Sequence, residues 1–220
     1  MLGNLTSRFS NPLSFLIFVI TILAAITIHE FFHAWAANRL GDPTAKLSGR
    51  LTLNPIAHLD PLGTLMLLII GFGWGKPVPF DPYNLRHPRR DSALISFAGP
   101  AANLVFALLL SLVVRFLQLF TPSIYIILFE AILGSFIYWA IVLAIFNLIP
   151  IHPLDGGKVL VGLLPEKLAY QWDDFLNRYG FFIIIFLILP LFGGYSLVSL
   201  VIFPIVRFIL TLLLPGSMSV

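Results

Sequence analysis

The chain has 220 residues, a formal net charge of +3, and only 10% charged against 59% hydrophobic residues. Soluble domains carry about a quarter charged residues, so this balance excludes an ordinary soluble or disordered protein. With a mean hydropathy of +0.97 it reads as an all-α polytopic membrane protein. Cysteine is absent, which excludes a disulfide framework, a thiol nucleophile and cysteine-ligated metal. The basic residues are scattered over loops, marking membrane topology rather than a nucleic-acid surface.

The first apolar segment, Pro12–Arg39, has no charged residue before His29. No small-residue cleavage site follows it, so it reads as a membrane helix rather than a removable signal peptide. Residues Ala45–Asn54 then alternate, with Leu47, Gly49, Leu51 and Leu53 set against Ser48, Arg50 and Thr52. A period of two predicts a short membrane-associated β-strand or hairpin. Leu59–Phe72 offers 14 residues between Asp60-Pro61 and Gly71-Phe72-Gly73, short of the ~20 that a crossing helix needs. A re-entrant segment is expected there. Lys76–Phe80 is too proline-rich for a helix or a central strand and fits an extended edge.

Three further helices follow at Ser92–Phe120, Ser123–Ile149 and Leu197–Leu214. A shorter run, Phe181–Phe192, contains Pro190 and either begins earlier, in Gln171–Arg178, or forms a tight hairpin with the last helix through Gly193-Gly194. The count is five to six transmembrane helices in one domain, residues 1–220. If Leu59–Phe72 re-enters, ten basic residues share one face (Arg39, Lys46, Arg50, Lys76, Arg86, Arg89, Arg90, Lys158, Lys167 and Arg178), with Arg8 alone opposite. The positive-inside rule favours that arrangement. The N-terminus is then outside, and His29, about 25 Å along the first helix, reaches the cytoplasmic third of the bilayer.

Residues 29–33 read His-Glu-Phe-Phe-His. On a helix His29 and His33 share a face, and two imidazoles so spaced can bind one zinc ion while Glu30 handles protons of its water. Ionisable groups at membrane depth cost a few kcal/mol each, and metal ligation is a sufficient reason for them. A catalytic zinc needs a third protein ligand. Asp155 is the leading candidate, in the run Asn147 through Gly157, where Pro150 and Pro153 break a long apolar helix. That helix ends at the depth derived for His29. Asp155 could instead be a loop carboxylate or helix cap, and His152 could ligate in its place.

HEFFH, the later Gly99-Pro100-Ala101-Ala102-Asn103, and Asn147 through Gly157 occur in this order along nearly the whole chain. Together they resemble the site-2 protease family of intramembrane zinc metalloproteases. The stretches Arg50–Pro55, His58–Gly63 and Trp74–Phe80 resemble its compact prokaryotic branch, without PDZ or CBS domains. The resemblance implies one Zn2+ per chain held by His29, His33 and Asp155, with Glu30 as catalytic acid/base. It implies Asn103 and Asn147 as residues that hold substrate or the oxyanion. The implied enzyme is a zinc metalloendopeptidase in the cell membrane, its active site towards the cytoplasm. Its partners would be the lipid bilayer and a transmembrane protein substrate. No motif fixes the substrate, the cleavage site or the oligomeric state.

Rival readings accompany each motif. A metal-binding transporter or a catalytically silent membrane chaperone would also hold intramembrane His and Asp, but has no use for Glu30 beside them. A transporter would more often show an internal repeat, and none is visible. His58 is expected to be structural, by capping the re-entrant segment or pairing with Asp60, with an auxiliary place at the site as the alternative. His87 reads as a solvated interfacial residue. Gly99 and Ala101/Ala102 suit close helix packing in any case. Arg115 and Glu130 are expected to form a structural ion pair at similar depth on neighbouring helices.

Overall fold

In a computed structural model the chain is described over residues 11–70, 73–190, 194 and 196–214. Arg8, Gly71, Phe72 and Gly193, which carry part of the topology reading, lie outside these residues. The elements are α1 (Pro12–Leu40), α2 (Thr44–Leu47), α3 (Pro61–Ile70), α4 (Pro88–Leu117), α5 (Ile124–Asn147), α6 (Asp155–Leu163), α7 (Glu166–Ile188) and α8 (Leu197–Leu213), with 3-10 turns at Pro55–His58 and Pro82–Asn84. Among the described residues α1, α4 and α5 are long and apolar enough to cross a membrane, and α8 is a shorter apolar helix.

The chain divides into two compact units. The first comprises Met1–Ala25, Asn103–Phe146 and Leu187–Val220. Its packing rests on small and branched residues of α1, α4, α5 and α8, among them Ala25, Ala107, Ile137, Ala140, Ile141 and Val206. Small residues let helix backbones approach closely where lipid removes any hydrophobic drive to associate. Phe18 meets Trp139 edge to face at 5.0 Å. Large apolar side chains such as Leu109, Leu112, Phe116, Ile127 and Phe208 remain exposed, as a lipid-facing surface requires.

Arg115 corrects an expectation. Its guanidinium donates to the carbonyls of Leu212 and Leu213 at 2.7 and 3.2 Å, and among the described residues no ion pair joins it to Glu130. The last carbonyls of α8 have no partner within their helix, and a five-donor fork satisfies two of them at once.

The second unit comprises Ile26–Ala102 and Asn147–Phe186. Within it α1 ends on Gly41 at φ 109°, and the Asp42 N–H donates to the Ala37 carbonyl at 3.0 Å. This closure needs a left-handed residue, which glycine supplies without steric cost. Asp42 is completely buried. It accepts from the Thr44 and Asp81 backbone amides, the Thr44 hydroxyl and the Asn84 amide. Burial pushes its carboxyl up, but these donors outweigh it and hold the carboxyl below the ordinary value of 3.8.

The predicted strand over Ala45–Asn54 is not formed. Residues 44–47 are helical, and Gly49 at φ 70° stops the turn, with the Arg50 N–H donating to the Ala45 carbonyl at 2.8 Å. The Asp42 cap and the Gly49 stop dominate a local pattern that read as period two. The faces are also reversed: Leu47 is 82% exposed, while Arg50 is only 5% exposed. Arg50 donates to the Ala57 carbonyl and, at 3.5 Å, to that of Lys76. Among the described residues the only β feature is an isolated antiparallel bridge between Leu59 and Gly75.

That bridge closes the base of a hairpin. α3 rises for ten residues, about 15 Å. It is capped by Asp60, whose side chain accepts from the Gly63 N–H at 2.8 Å. The returning chain lies against it without room for a side chain, since a Cβ on Gly63 would strike the Trp74 carbonyl and one on Gly73 the Gly63 carbonyl. Expected and observed bounds agree closely for α5 and α8, and α4 starts four residues earlier, at Pro88 rather than Ser92. α7 begins at Glu166, so the Phe181 run is the apolar end of a helix whose first half is polar.

Candidate metal centre

α1 presents His29 and His33 on one face, both buried. Their Nε2 atoms lie 2.9 and 3.1 Å from the same atom, Oδ2 of Asp155. The three potential donor atoms all fall within 4.8 Å of one another. Asp155 is the first residue of α6, where a helix N-terminus favours a carboxylate. Burial pushes its carboxyl up, but the imidazoles of His33 and His29 outweigh this and hold it well below the ordinary carboxylate range.

Three glycines fix the loop before α6. A Cβ on Gly156 would strike the carbonyls of Leu148 and Ile149, and one on Gly157 the His152 ring. Gly180 of α7 sits against the His152 carbonyl in the same way. The His152 Nε2 is paired with Asp173 at 3.0 Å, and His152 stands outside the donor triplet. Lys158, one turn into α6, places its Nζ 4.3 Å over the Phe80 ring. Residues 76–80 are thereby tied to the helix that carries Asp155.

The donor set fits zinc. His33 Nδ1 lies 2.7 Å from the Ile95 carbonyl. A carbonyl only accepts, so Nδ1 carries a proton, and Nε2 is the nitrogen that a metal would take. That same Nε2 faces Asp155 Oδ2 at 3.1 Å. Ligands of a tetrahedral zinc with bonds of 2.0–2.2 Å stand roughly 3.3 Å apart, so a small opening of the triplet admits the ion.

The chain matches the model of Peptidase family M50 over residues 17–125 and 122–188. It belongs to this family. It is 36% identical to the protein named "Putative zinc metalloprotease YwhC" of Bacillus subtilis, over 84% of this chain and 86% of that one. It is also 36% identical to "Putative zinc metalloprotease Rip2" of Mycolicibacterium smegmatis, over 81% and 70% of the two chains. "Zinc metalloprotease MJ0392" of Methanocaldococcus jannaschii is 23% identical over 74% of this chain and 39% of its own length. No solved structure matches. This M50 member is thus a site-2-type zinc metalloprotease and a membrane protein, with no PDZ or CBS domain among its described residues.

The remaining sequence candidates are distributed more widely. Glu30 is half-buried, with its carboxylate near Gly75, where a Cβ would lie 3.8 Å from Oε1. Asn147 is the last residue of α5. Asn103 is completely buried in the first unit. His58 is also completely buried and donates from Nε2 to the Thr52 carbonyl at 2.8 Å, so it braces its own loop and neither caps α3 nor pairs with Asp60. His87 is exposed. Sequence reasoning missed Asp173, Gly180 and the Ile95 carbonyl. Two of these act through backbone or through an absent side chain, which leaves no mark in residue type. Asp173 sits among the polar residues of α7, which carry no spacing signal.

Proposed function

We propose that this M50 peptidase, acting as one domain over residues 1–220, hydrolyses a peptide bond in or near a transmembrane segment of another membrane protein. The convergence of His29, His33 and Asp155 on one point carries this reading, because it gathers three zinc-type donors at the end of a helix too apolar for water. These three residues would hold the metal. Bound there, zinc would polarise the scissile carbonyl and lower the pKa of a water towards 7. Glu30 takes a proton from the attacking water and delivers it to the leaving amine as the C–N bond breaks. The hydroxyl ends on the carbonyl carbon. Asn103 and Asn147 are assigned to holding the substrate or its oxyanion.

A substrate helix hides its carbonyls in its own hydrogen bonds, so it must unwind before cleavage. Residues 76–80 offer an extended edge beyond the single Leu59–Gly75 rung, suited to strand addition by an unwound segment. The bridge brings both ends of residues 59–75 together, which supports re-entry of α3 rather than a crossing. With α1, α4, α5 and α8 crossing, and a fifth span built on the apolar run from Phe181, the basic loops and the site lie towards the cytoplasm in the cell membrane.

The test compares wild type with Glu30→Gln. The variant should retain zinc but leave uncleaved membrane proteins to accumulate, seen by quantitative membrane proteomics. Unchanged cellular function in Glu30→Gln would favour a metal carrier or chaperone. Labelling of single cysteines introduced at positions 48 and 88 with an impermeant reagent should show one shared face. Opposite accessibility would make α3 a true crossing.

A further inference from the structure

Two positions of α4, one helical turn apart, address the histidine pair. The Ile95 carbonyl accepts from His33 Nδ1 at 2.7 Å. Four residues later, a Cβ built on Gly99 would lie 2.5 Å from His33 Nε2, 2.6 Å from its Cε1 and 2.9 Å from His29 Nε2. Side-chain carbons essentially never approach closer than 3.0 Å, so an alanine must push the two rings and α4 apart. Neither ring can yield easily. Both are buried on one rigid helix, and His33 is anchored at its far nitrogen by Ile95. The place of the missing side chain is bordered by the two nitrogens that face Asp155, so a methyl group there would press on the atoms that would hold an ion.

Resting on the reading of His29 and His33 as zinc ligands, we propose that Gly99 is a positioning residue for the metal. Its missing side chain keeps clear the space beside the two Nε2 atoms, while Ile95 holds His33 in the tautomer that offers Nε2 outward. Close helix packing alone would explain a glycine against backbone. It does not explain a glycine whose nearest neighbours are the two ligand rings.

The experiment uses the full chain in lipid nanodiscs, as wild type, His33→Ala, Gly99→Ala, their double variant and Gly162→Ala. The last is a packing control: a Cβ on Gly162 would strike that of Ala93 and meets no imidazole. Zinc affinity is read by competition with a chelating indicator, and ligand geometry by the absorption spectrum of the Co2+-loaded protein. Gly99→Ala should bind zinc at least about tenfold more weakly, as losses around a metal site do, with a shifted cobalt spectrum. Gly162→Ala, whose methyl must also shift its neighbours, should lower Tm yet keep zinc affinity and the cobalt spectrum closer to wild type than Gly99→Ala does. Wild-type zinc affinity in His33→Ala would defeat the ligand reading itself. Loss of zinc in His33→Ala together with wild-type affinity and spectrum in Gly99→Ala would overturn the proposal alone. Thermal unfolding of the metal-free proteins gives an arm that survives poor folding of Gly99→Ala. The drop in Tm from Gly99→Ala should be smaller in the His33→Ala background. An equal drop in both backgrounds would reduce Gly99 to helix packing and refute the positioning role.

Discussion

The two units of the chain bury polar groups in opposite ways. In the first, the buried polar residues among those described are Thr21, Asn103, Ser111 and Ser199, none of them charged. Its hydroxyls bond within their own helices, Thr21 to the Ile17 and Phe18 carbonyls and Ser111 to that of Leu108. The second unit buries Thr27, Ser96 and seven titratable or charged residues: His29, His33, Asp42, Arg50, His58, Asp91 and His152. Their partners are often distant in sequence, 126 residues away for His29 and 62 for His33. Local satisfaction makes an anchor that tolerates change. Long-range satisfaction makes a scaffold in which each polar group fixes another element, and there a reaction can be held in register.

If that contrast is right, the largest effects belong to the second unit. Glu30→Gln should lower the cleavage rate by about 10²–10⁴-fold, the usual worth of a general acid–base group. Metal analysis of the purified variant should show zinc retained. Asp173→Asn should act less severely, by roughly 10-fold on zinc affinity or rate, because it loosens His152 and the loop ahead of Asp155. An affinity equal to wild type would remove the His152 pair from the scaffold.

Arg50→Met should lower stability by about 1.5–3 kcal/mol, the worth of hydrogen bonds from a charged group, visible as a fall in Tm. For Asp42 the sign is set by its depressed carboxyl. Its stabilisation is present above the unfolded value of 3.8 and is lost as pH falls below it through the folded value. Asp42→Asn should therefore be less stable than wild type at neutral pH and show a shallower loss of Tm on acidification. The smallest effect is expected in the first unit. Ser111→Ala should cost less than the ~0.6 kcal/mol average of polar contacts between membrane helices, because its hydroxyl bonds within its own helix, and should leave cleavage unchanged. A large activity loss there would erase the contrast.

The donor triplet was legible because residue chemistry and spacing suffice. Two histidines four apart, and a carboxylate beyond a proline-broken helix, have few other uses at membrane depth. The long apolar helices were legible from length alone. Residues 45–54 were misread because seven side chains of alternating polarity cannot distinguish a strand from a helical turn stopped by Gly49. Arg115 was misassigned because the carbonyls at the end of α8 are invisible to any count of charges. Gly99 was read as a packing residue. That it faces imidazole nitrogens rather than a neighbouring backbone is a fact of three dimensions.

The distance between His29 and Asp155 along the chain also has a bearing on biogenesis. During synthesis HEFFH enters the membrane early, while its third partner is added only after α4 and α5 have been made. A nascent or truncated chain ending before residue 155 would carry the two histidines and Glu30 but lack the carboxylate that completes the set. On the proposed ligand set, a protease assembled in this order would lack its metal site, and so stay inert, until most of its length has been made.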